Sequence, residues 1–306
     1  MNASRHCRTL LVLLITTWST ACLAEEPASS VGEGRYLATI AGCIGCHTDS
    51  ENGGQPFAGG KELKSQFGTF YSPNITPDEE TGIGNWSDEE FIRALKLGLS
   101  PEGEHYYPAF PYTSFTGMTP KDILSIKRFL DTLEPVKNSP REHITSWPIS
   151  DRSMLGLWKR MNFPPQPPAR ETHYPRDRGA YLVETVLHCG ECHTPRYSSG
   201  GILHHRHLSG SHLSAQNERV PNITSHKRDG IGGWTPHQIM GFLATGTTPD
   251  LRQTKGSMAE VIREVTSKLD ANDLRAIADY LARTPPIPSL DSPLPSHRRW
   301  WLDPEN

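Results

Sequence analysis

The run CIGCH at residues 43–47 returns as CGECH at residues 189–193, so one chain carries the pattern Cys-x-x-Cys-His twice. This pattern is the attachment signature of a c-type haem, in which two thiols bond to the porphyrin and the adjacent His meets the iron. For a single copy, a zinc site or a redox cysteine pair is the alternative. Zinc needs a second ligand pair near each motif, and the sequence offers none. Two copies therefore predict two haem c groups.

The six cysteines fall into two groups. Two of them, Cys7 and Cys22, lie in a leader with a basic start and the apolar run LLVLLI at residues 10–15. That run is too short to span a bilayer, so the leader is typical of a secretory signal cleaved after Ala24. We predict a periplasmic protein, with a retained anchor or a lipoprotein acylated at Cys22 as alternatives. The other four cysteines would all bond to haem: Cys43, Cys46, Cys189 and Cys192.

The second half of the chain repeats the first. The run PNIT at residues 73–76 returns at 221–224, and GIGNWS at 82–87 returns as GIGGWT at 230–235. The spacing is 148 residues for both pairs and 146 residues for the two haem motifs. A near-constant spacing indicates duplicated domains with small differences in their loops.

Proline-rich stretches mark where the domains end. Between the domains they predict an extended, semi-rigid connector, with room for one or two helical turns at residues 154–161. We divide the chain into a signal peptide, a first domain, a Pro-rich linker, a second domain and a Pro-rich tail, over residues 1–24, 30–135, 136–174, 175–285 and 286–306.

Helix signals fall at matching places in the two domains. Ser87 and Thr235 each begin a capping box, and each of those helices closes at a glycine. Thr119 and Asp270 begin the last helix of each domain, with an apolar stripe along it. No convincing alternating strand pattern is present. The sequence therefore predicts an all-α fold of two small bundles, each wrapped round a haem.

Each predicted haem has one iron ligand from its motif, His47 or His193, and the sixth ligand decides the chemistry. Met118 and Met258 follow those histidines by 71 and 65 residues, each in a predicted loop before the last helix of its domain. This symmetric placement favours both as axial ligands. Core filling is the alternative for a methionine.

Other side chains compete for the same role. His105, in a loop before Met118, is the alternative ligand for the first haem. The histidines between residues 204 and 212 could hold a divalent metal or ligate haem, although a solvated loop is the simpler interpretation. Met154 and Met161 lie in the linker without counterparts, so packing is expected for them.

Four repeated side chains are candidate contacts of the haem propionates, because amides and indole N–H groups are hydrogen-bond donors. The alternative is that each tryptophan anchors the core and each asparagine closes a turn. The four residues are Asn74, Trp86, Asn222 and Trp234.

Charge and hydropathy exclude some partners. The net charge of −3 is too small to indicate nucleic acid binding. The mean hydropathy of −0.53 and the short apolar runs predict no transmembrane helix after the leader. The run RRWW at residues 298–301 could touch a partner or a membrane surface at the outer face of the inner membrane. A tail packed on its own protein is the alternative.

The chain resembles the cytochrome c subunits of bacterial membrane-associated alcohol, gluconate, sorbitol and related aldehyde dehydrogenases. The resemblance lies in the runs FYSPNITPDEETGIG at 70–84, Trp86-Ser87, and YPAFPY at 107–112. It implies tandem class I cytochrome c domains with His/Met haems, ligated by the residues named above. The best-known members carry three haem domains, whereas this chain carries two and is closer to the shorter diheme members.

The resemblance also implies a function. Such subunits take electrons from a catalytic dehydrogenase subunit and pass them to ubiquinone or another cytochrome. We therefore expect an electron-transfer subunit rather than an enzyme. The alternative is a catalytic diheme enzyme, peroxidase-like or thiosulfate-oxidising, with one open haem.

Overall fold

The computed structural model describes residues 30–163, 177–213 and 218–292. The predicted leader and the basic-aromatic run at 298–301 lie outside these residues. Eleven α-helices are found in the described part: Val31–Ile40 (α1), Cys43–Cys46 (α2), Asp88–Leu97 (α3), Tyr112–Phe115 (α4), Pro120–Leu130 (α5), Arg152–Asn162 (α6), Arg178–Tyr181 (α7), Cys189–His193 (α8), Pro236–Thr245 (α9), Gly256–Glu264 (α10) and Ala271–Arg283 (α11).

The first and last helices of each repeat cross closely. A β-carbon on Gly34 in α1 would lie 1.7 Å from the carbonyl oxygen of Ser125 in α5, and one on Gly179 in α7 would lie 2.1 Å from that of Ala276 in α11. Only glycine lets the backbones approach this far. The crossing also explains why the matching runs GRYL at residues 34–37 and GAYL at residues 179–182 both begin with glycine.

The helix ends form as the sequence predicted. Ser87 and Thr235 make complete capping boxes, and Gly98 and Gly246 end the same helices in the left-handed conformation. The side chain of Thr119 caps α5, and that of Asp270 caps α11. These signals are local in the sequence, which is why they could be read without the tertiary structure.

The all-α prediction was incomplete, because small antiparallel sheets accompany the helices. Strands Glu62–Ser65 (β1), Gly68–Tyr71 (β2) and Ile144–Thr145 (β3) form one sheet, and Ser211–Leu213 (β4) and Glu218–Val220 (β5) form another. Strands of two to four residues are too short to show a clear alternation. Strand β3 also comes from the predicted linker and pairs with β2 across more than 70 residues of chain.

Over its described residues, the predicted connector packs on the protein and is not an extended segment between the repeats. It contributes β3 and the eleven-residue helix α6, longer than the one or two turns expected from the sequence. Lys159 in α6 donates to the carbonyl oxygens of Leu97 and Gly98, so this helix is fastened to the end of α3. Residues 136–163 therefore lie against the first repeat.

One continuous apolar core runs through both repeats. Leu37 and Ile126 represent the first repeat in it, and Leu182 and Ile277 represent the second; all four are buried. The π-helical turn Leu182–Val186, which continues α7, contacts α4 of the first repeat. Within residues 30–163, 177–213 and 218–292, no helix combines the length and the apolar character needed to cross a membrane.

Candidate haem sites

Each Cys-x-x-Cys-His motif forms one short helix, α2 or α8, that follows the first helix of its repeat after a sharp turn. Gly42 and His188, which precede the motifs, adopt left-handed conformations with φ of 73° and 42°. All four motif cysteines are free thiols that form no disulfide with one another. Burial raises the pKa of Cys43 and of Cys189 to about 12.

The two motif histidines are oriented in the same way. The Nδ1 atom of His47 lies 2.8 Å from the carbonyl oxygen of Pro73, and that of His193 lies 2.8 Å from the carbonyl oxygen of Pro221. Because a carbonyl only accepts, Nδ1 carries the proton and Nε2 keeps its lone pair for a metal. Burial lowers the pKa of both imidazoles, which favours the neutral form that ligates iron.

The loops beyond the motifs repeat atom by atom. The amide of Phe57 donates to Thr48 Oγ1 at 3.1 Å, and the amide of Leu208 donates to Thr194 Oγ1 at 3.1 Å. Both donors have a positive φ, of 62° and 58° respectively. Paired thiols, a directed imidazole and the same enclosing loop at both motifs fit one haem c per repeat.

The two candidate axial methionines are not equivalent, although the sequence predicted symmetric loop positions. Met118 is 1% exposed and lies in the bend between α4 and α5. Met258 is half-buried in the first turn of α10, and the buried Leu269 occupies the position directly before the last helix. The asymmetry arises because the second repeat builds the nine-residue α10 where the first has the four-residue α4. Both methionines pack on the shared core, and their iron ligation stays a prediction.

The two repeated asparagines hold chain segments together. Asn74 Nδ2 donates to the carbonyl oxygen of Val136 at 2.6 Å, and its Oδ1 accepts from the amide two residues on at 2.9 Å. Asn222 makes both contacts again, with the carbonyl oxygen of Ile287 at 2.7 Å. These are the turn-closing bonds that the sequence left open as the alternative. Each asparagine thereby fastens the segment that follows its repeat.

The two repeated tryptophans pack against the shared core. Trp86 and Trp234 pack half-buried against the core, and the Trp234 ring meets Phe242 edge-on at 5.4 Å. Within the described residues, neither Nε1 atom makes a hydrogen bond with a protein group. Their contact with propionates stays a prediction.

The side chains that could replace the two methionines as iron ligands, or bind another metal, lie in different surroundings. His105 lies against α6, with Nε2 2.9 Å from where a β-carbon on Gly156 would stand, and burial lowers its pKa. His207 Nε2 lies 2.9 Å from Glu184 Oε1. Across the described ranges, no group of three or more His, Cys, Asp or Glu residues could hold a metal ion. Met154 and Met161 are 38% and 68% exposed, so the expectation that they pack in a core was wrong.

Each motif is also linked to the opposite repeat, the second directly and the first through Lys61. Glu191 Oε1 in α8 accepts from the hydroxyls of Thr113 and Ser114 at 2.6 and 2.8 Å. Burial raises the pKa of Glu191, but Arg196 and these two hydroxyls outweigh it, so the net direction is down. Lys61 Nζ donates to the carbonyl oxygen of Gly45 at 2.8 Å and to Glu260 in α10 at 2.9 Å. The sequence analysis missed these contacts, because no local pattern marks them.

A protein described as a diheme c-type cytochrome, from Cereibacter sphaeroides, is 40% identical to this chain over 280 residues, which cover 88% of this chain and 93% of the relative. The chain belongs to the diheme c-type cytochromes. Its cofactors are two haem c groups, one for each motif, as the sequence predicted.

This diheme cytochrome is also similar to subunits of larger assemblies. It is 36% identical to the cytochrome c subunit of gluconate 2-dehydrogenase from Pantoea cypripedii, over 90% of this chain and 64% of the relative. It is equally similar to the cytochrome c subunit of a quinone-dependent alcohol dehydrogenase from Gluconobacter oxydans, over 90% of this chain and 59% of the relative. The chain thus spans about three fifths of these two subunits. No protein-family profile matches it.

Proposed function

We propose that this cytochrome relays electrons from a periplasmic dehydrogenase to a quinone, another cytochrome or a terminal oxidase. The observation that carries the proposal is the identical orientation of His47 and His193, each directed by a proline carbonyl at 2.8 Å within a repeated Cys-x-x-Cys-His loop. The names of its relatives support a dehydrogenase as the donor.

In this proposal the protein holds two haems at fixed positions. Cys43 and Cys46 attach the first, and Cys189 and Cys192 attach the second, while the Nε2 atoms of the motif histidines ligate the irons. Each haem supplies a one-electron centre whose potential follows its axial ligand and its burial. Met118 and Met258 are the proposed sixth ligands. The apolar core that surrounds Met118 keeps water away from that side chain and favours a closed iron.

The domain boundaries and the compartment belong to the same proposal. We assign the cytochrome domains to residues 30–135 and 175–285, the linker to 136–174 and the tail to 286–306. We place the protein in the periplasm after cleavage behind Ala24. Export agrees with haem c, which bacteria attach outside the cytoplasm.

The second repeat gives some support to a different function. Leu269 stands where the first repeat has Met118, and Met258 lies on a helix instead of in a bend. If Met258 does not reach the iron, the second haem is open to small ligands. The protein would then be a catalytic diheme enzyme of the peroxidase-like or thiosulfate-oxidising kind.

An optical redox titration of the purified diheme protein, with carbon monoxide and cyanide added, separates the two functions. Two low-spin haems with positive potentials that resist both ligands are the expected result for a relay. One high-spin haem that binds carbon monoxide readily would overturn the relay and favour the enzyme. The variants Met118→Ala and Met258→Ala then show which haem each methionine ligates.

A further inference from the structure

Two tyrosines of the repeated runs GRYL and GAYL reach across to the opposite repeat. Tyr36 lies in α1 of the first repeat, and Tyr181 lies in α7 of the second. Each hydroxyl meets the N-terminus of the other repeat's last helix. No function was predicted from the sequence for either tyrosine.

Tyr181 is 3% exposed and binds the start of α5 at two points. Its hydroxyl donates to Asp122 Oδ2 and accepts from the amide of Thr119 at 3.3 Å. Burial, reinforced by the carboxylate, raises the pKa of the Tyr181 phenol, which therefore stays protonated and keeps donating.

The amide that Tyr181 binds belongs to the peptide unit directly after Met118. The carbonyl of that same unit, Met118 O, accepts from Lys96 Nζ at 2.9 Å. Lys96 also binds the carbonyl oxygen of Thr116 at 2.7 Å. One peptide plane is thus held at both ends, by Lys96 from its own repeat and by Tyr181 from the other.

Packing brings the second repeat against the same bend. A β-carbon on Gly117 would lie 2.7 Å from Oγ1 of Thr185, which belongs to the π-helical turn after α7. The ring of Phe115 meets the ring of His188 edge-on at 5.5 Å, directly before the second haem motif. The bend that carries Met118 therefore rests on the segment that leads to the other haem.

The reciprocal tyrosine makes the same contacts but holds no methionine. Tyr36 donates to Asp273 Oδ2 at 2.7 Å and accepts from the amide of Asp270 at 3.3 Å. Arg178 reinforces that carboxylate at 2.7 Å. The peptide that Tyr36 holds follows Leu269, and Met258 lies eleven residues earlier, so Tyr36 serves as an internal comparison for Tyr181.

We propose that Tyr181 is a positioning residue for the first haem: the second repeat uses it to hold the bend from which Met118 ligates the iron of the first. The inference rests on the proposed ligation by Met118. Tyr36 joins the repeats with the same chemistry but positions no iron ligand. Ligation at the first haem therefore depends on contact between the repeats, whereas ligation at the second does not depend on Tyr36.

The test compares Tyr181→Phe with Tyr36→Phe in the full diheme protein, because each variant removes one hydroxyl from the interface between the repeats. In Tyr181→Phe we expect a weaker red absorption band of the ferric Met-ligated haem and a lower potential at one haem. Loss of one hydrogen bond at the bend should also tighten cyanide binding to that haem by roughly threefold to tenfold. Tyr36→Phe should leave the band, the potentials and cyanide binding unchanged, although both variants lower the unfolding midpoint.

The variant Met118→Ala tests the ligand assignment separately from the role of Tyr181. If Met118→Ala leaves the red band intact, the ligand assignment is wrong and the inference falls with it. If Met118→Ala removes the band of one haem but Tyr181→Phe changes nothing, only the role of Tyr181 is overturned. Equal changes in Tyr181→Phe and Tyr36→Phe would show that both tyrosines only stabilise the interface between the repeats. If Tyr181→Phe does not fold, Asp122→Asn, which weakens the same contact, replaces it in the comparison with Tyr36→Phe.

Discussion

The ammonium nitrogen of Lys159 lies 2.6 Å from the carbonyl oxygen of Gly98, the left-handed residue that ends α3. It also lies 4.4 Å from the ring centroid of Tyr112. A cation at a helix C-terminus satisfies carbonyls that have no partner within the helix and is favoured by the helix dipole. Lys159 therefore fastens α6 to the end of α3, in addition to the pairing of β3 with β2.

Burial lowers the pKa of Lys159 from its ordinary 10.5 to about 8. Between these values the unfolded chain binds a proton that the folded chain does not, so the free energy of unfolding rises with pH. We expect wild type to gain about 1–3 kcal/mol relative to Lys159→Met as the pH rises from 8 to 10.5. Denaturant unfolding at both values measures this gain. Relative to Arg160→Met, which keeps Lys159 and alters an exposed neighbour, wild type should show no such gain.

Two glycines of α1 should respond in opposite ways to the same substitution. Gly34→Ala places a β-carbon 1.7 Å from the carbonyl oxygen of Ser125, so α1 must move off α5. We expect a loss of about 3 kcal/mol or more in unfolding free energy. Gly32→Ala meets no atom within 4 Å and should instead stabilise the helix by about 0.5–1 kcal/mol. Equal effects of the two substitutions would contradict the close helix crossing.

Removal of one motif should remove one haem. We expect the double variant Cys43→Ala and Cys46→Ala to lose one haem in mass and half of the haemochrome absorbance, because the second motif retains its own thiols. The matched double variant Cys189→Ala and Cys192→Ala should lose the other haem and keep the first. Retention of two covalent haems in the double variant would contradict the assignment of the first motif.

The contact of Glu191 with Thr113 should join the second motif to the first repeat energetically. A double-mutant cycle with Glu191→Gln and Thr113→Val should give a coupling of about 1–2 kcal/mol, since the carboxylate is buried and its bond is 2.6 Å long. The exposed pair of Lys137 and Glu80 should give less than about 0.5 kcal/mol in the same cycle. A coupling for Glu191 as small as that of the surface pair would show that this contact does not hold the repeats together.

The sequence by itself determined what depends on neighbouring residues. Attachment of haem needs two thiols and an imidazole within five positions, and a capping box needs only residues three apart, as at Ser87 and Thr235. The duplication could be read for the same reason, since a repeat is a property of order along the chain. All three could be predicted without knowing how the two halves meet.

Only the tertiary structure decided the relationships between distant segments. The hydroxyl of Tyr181 meets α5, strand β3 pairs with β2, and Lys159 reaches the end of α3, each across about 60 residues or more. Met258 lies on a helix because the second repeat lengthens a segment that the first keeps short. Such contacts depend on shape and burial in the folded chain, and no local pattern encodes them. How the two repeats meet beside the haem motifs is therefore a property of the fold.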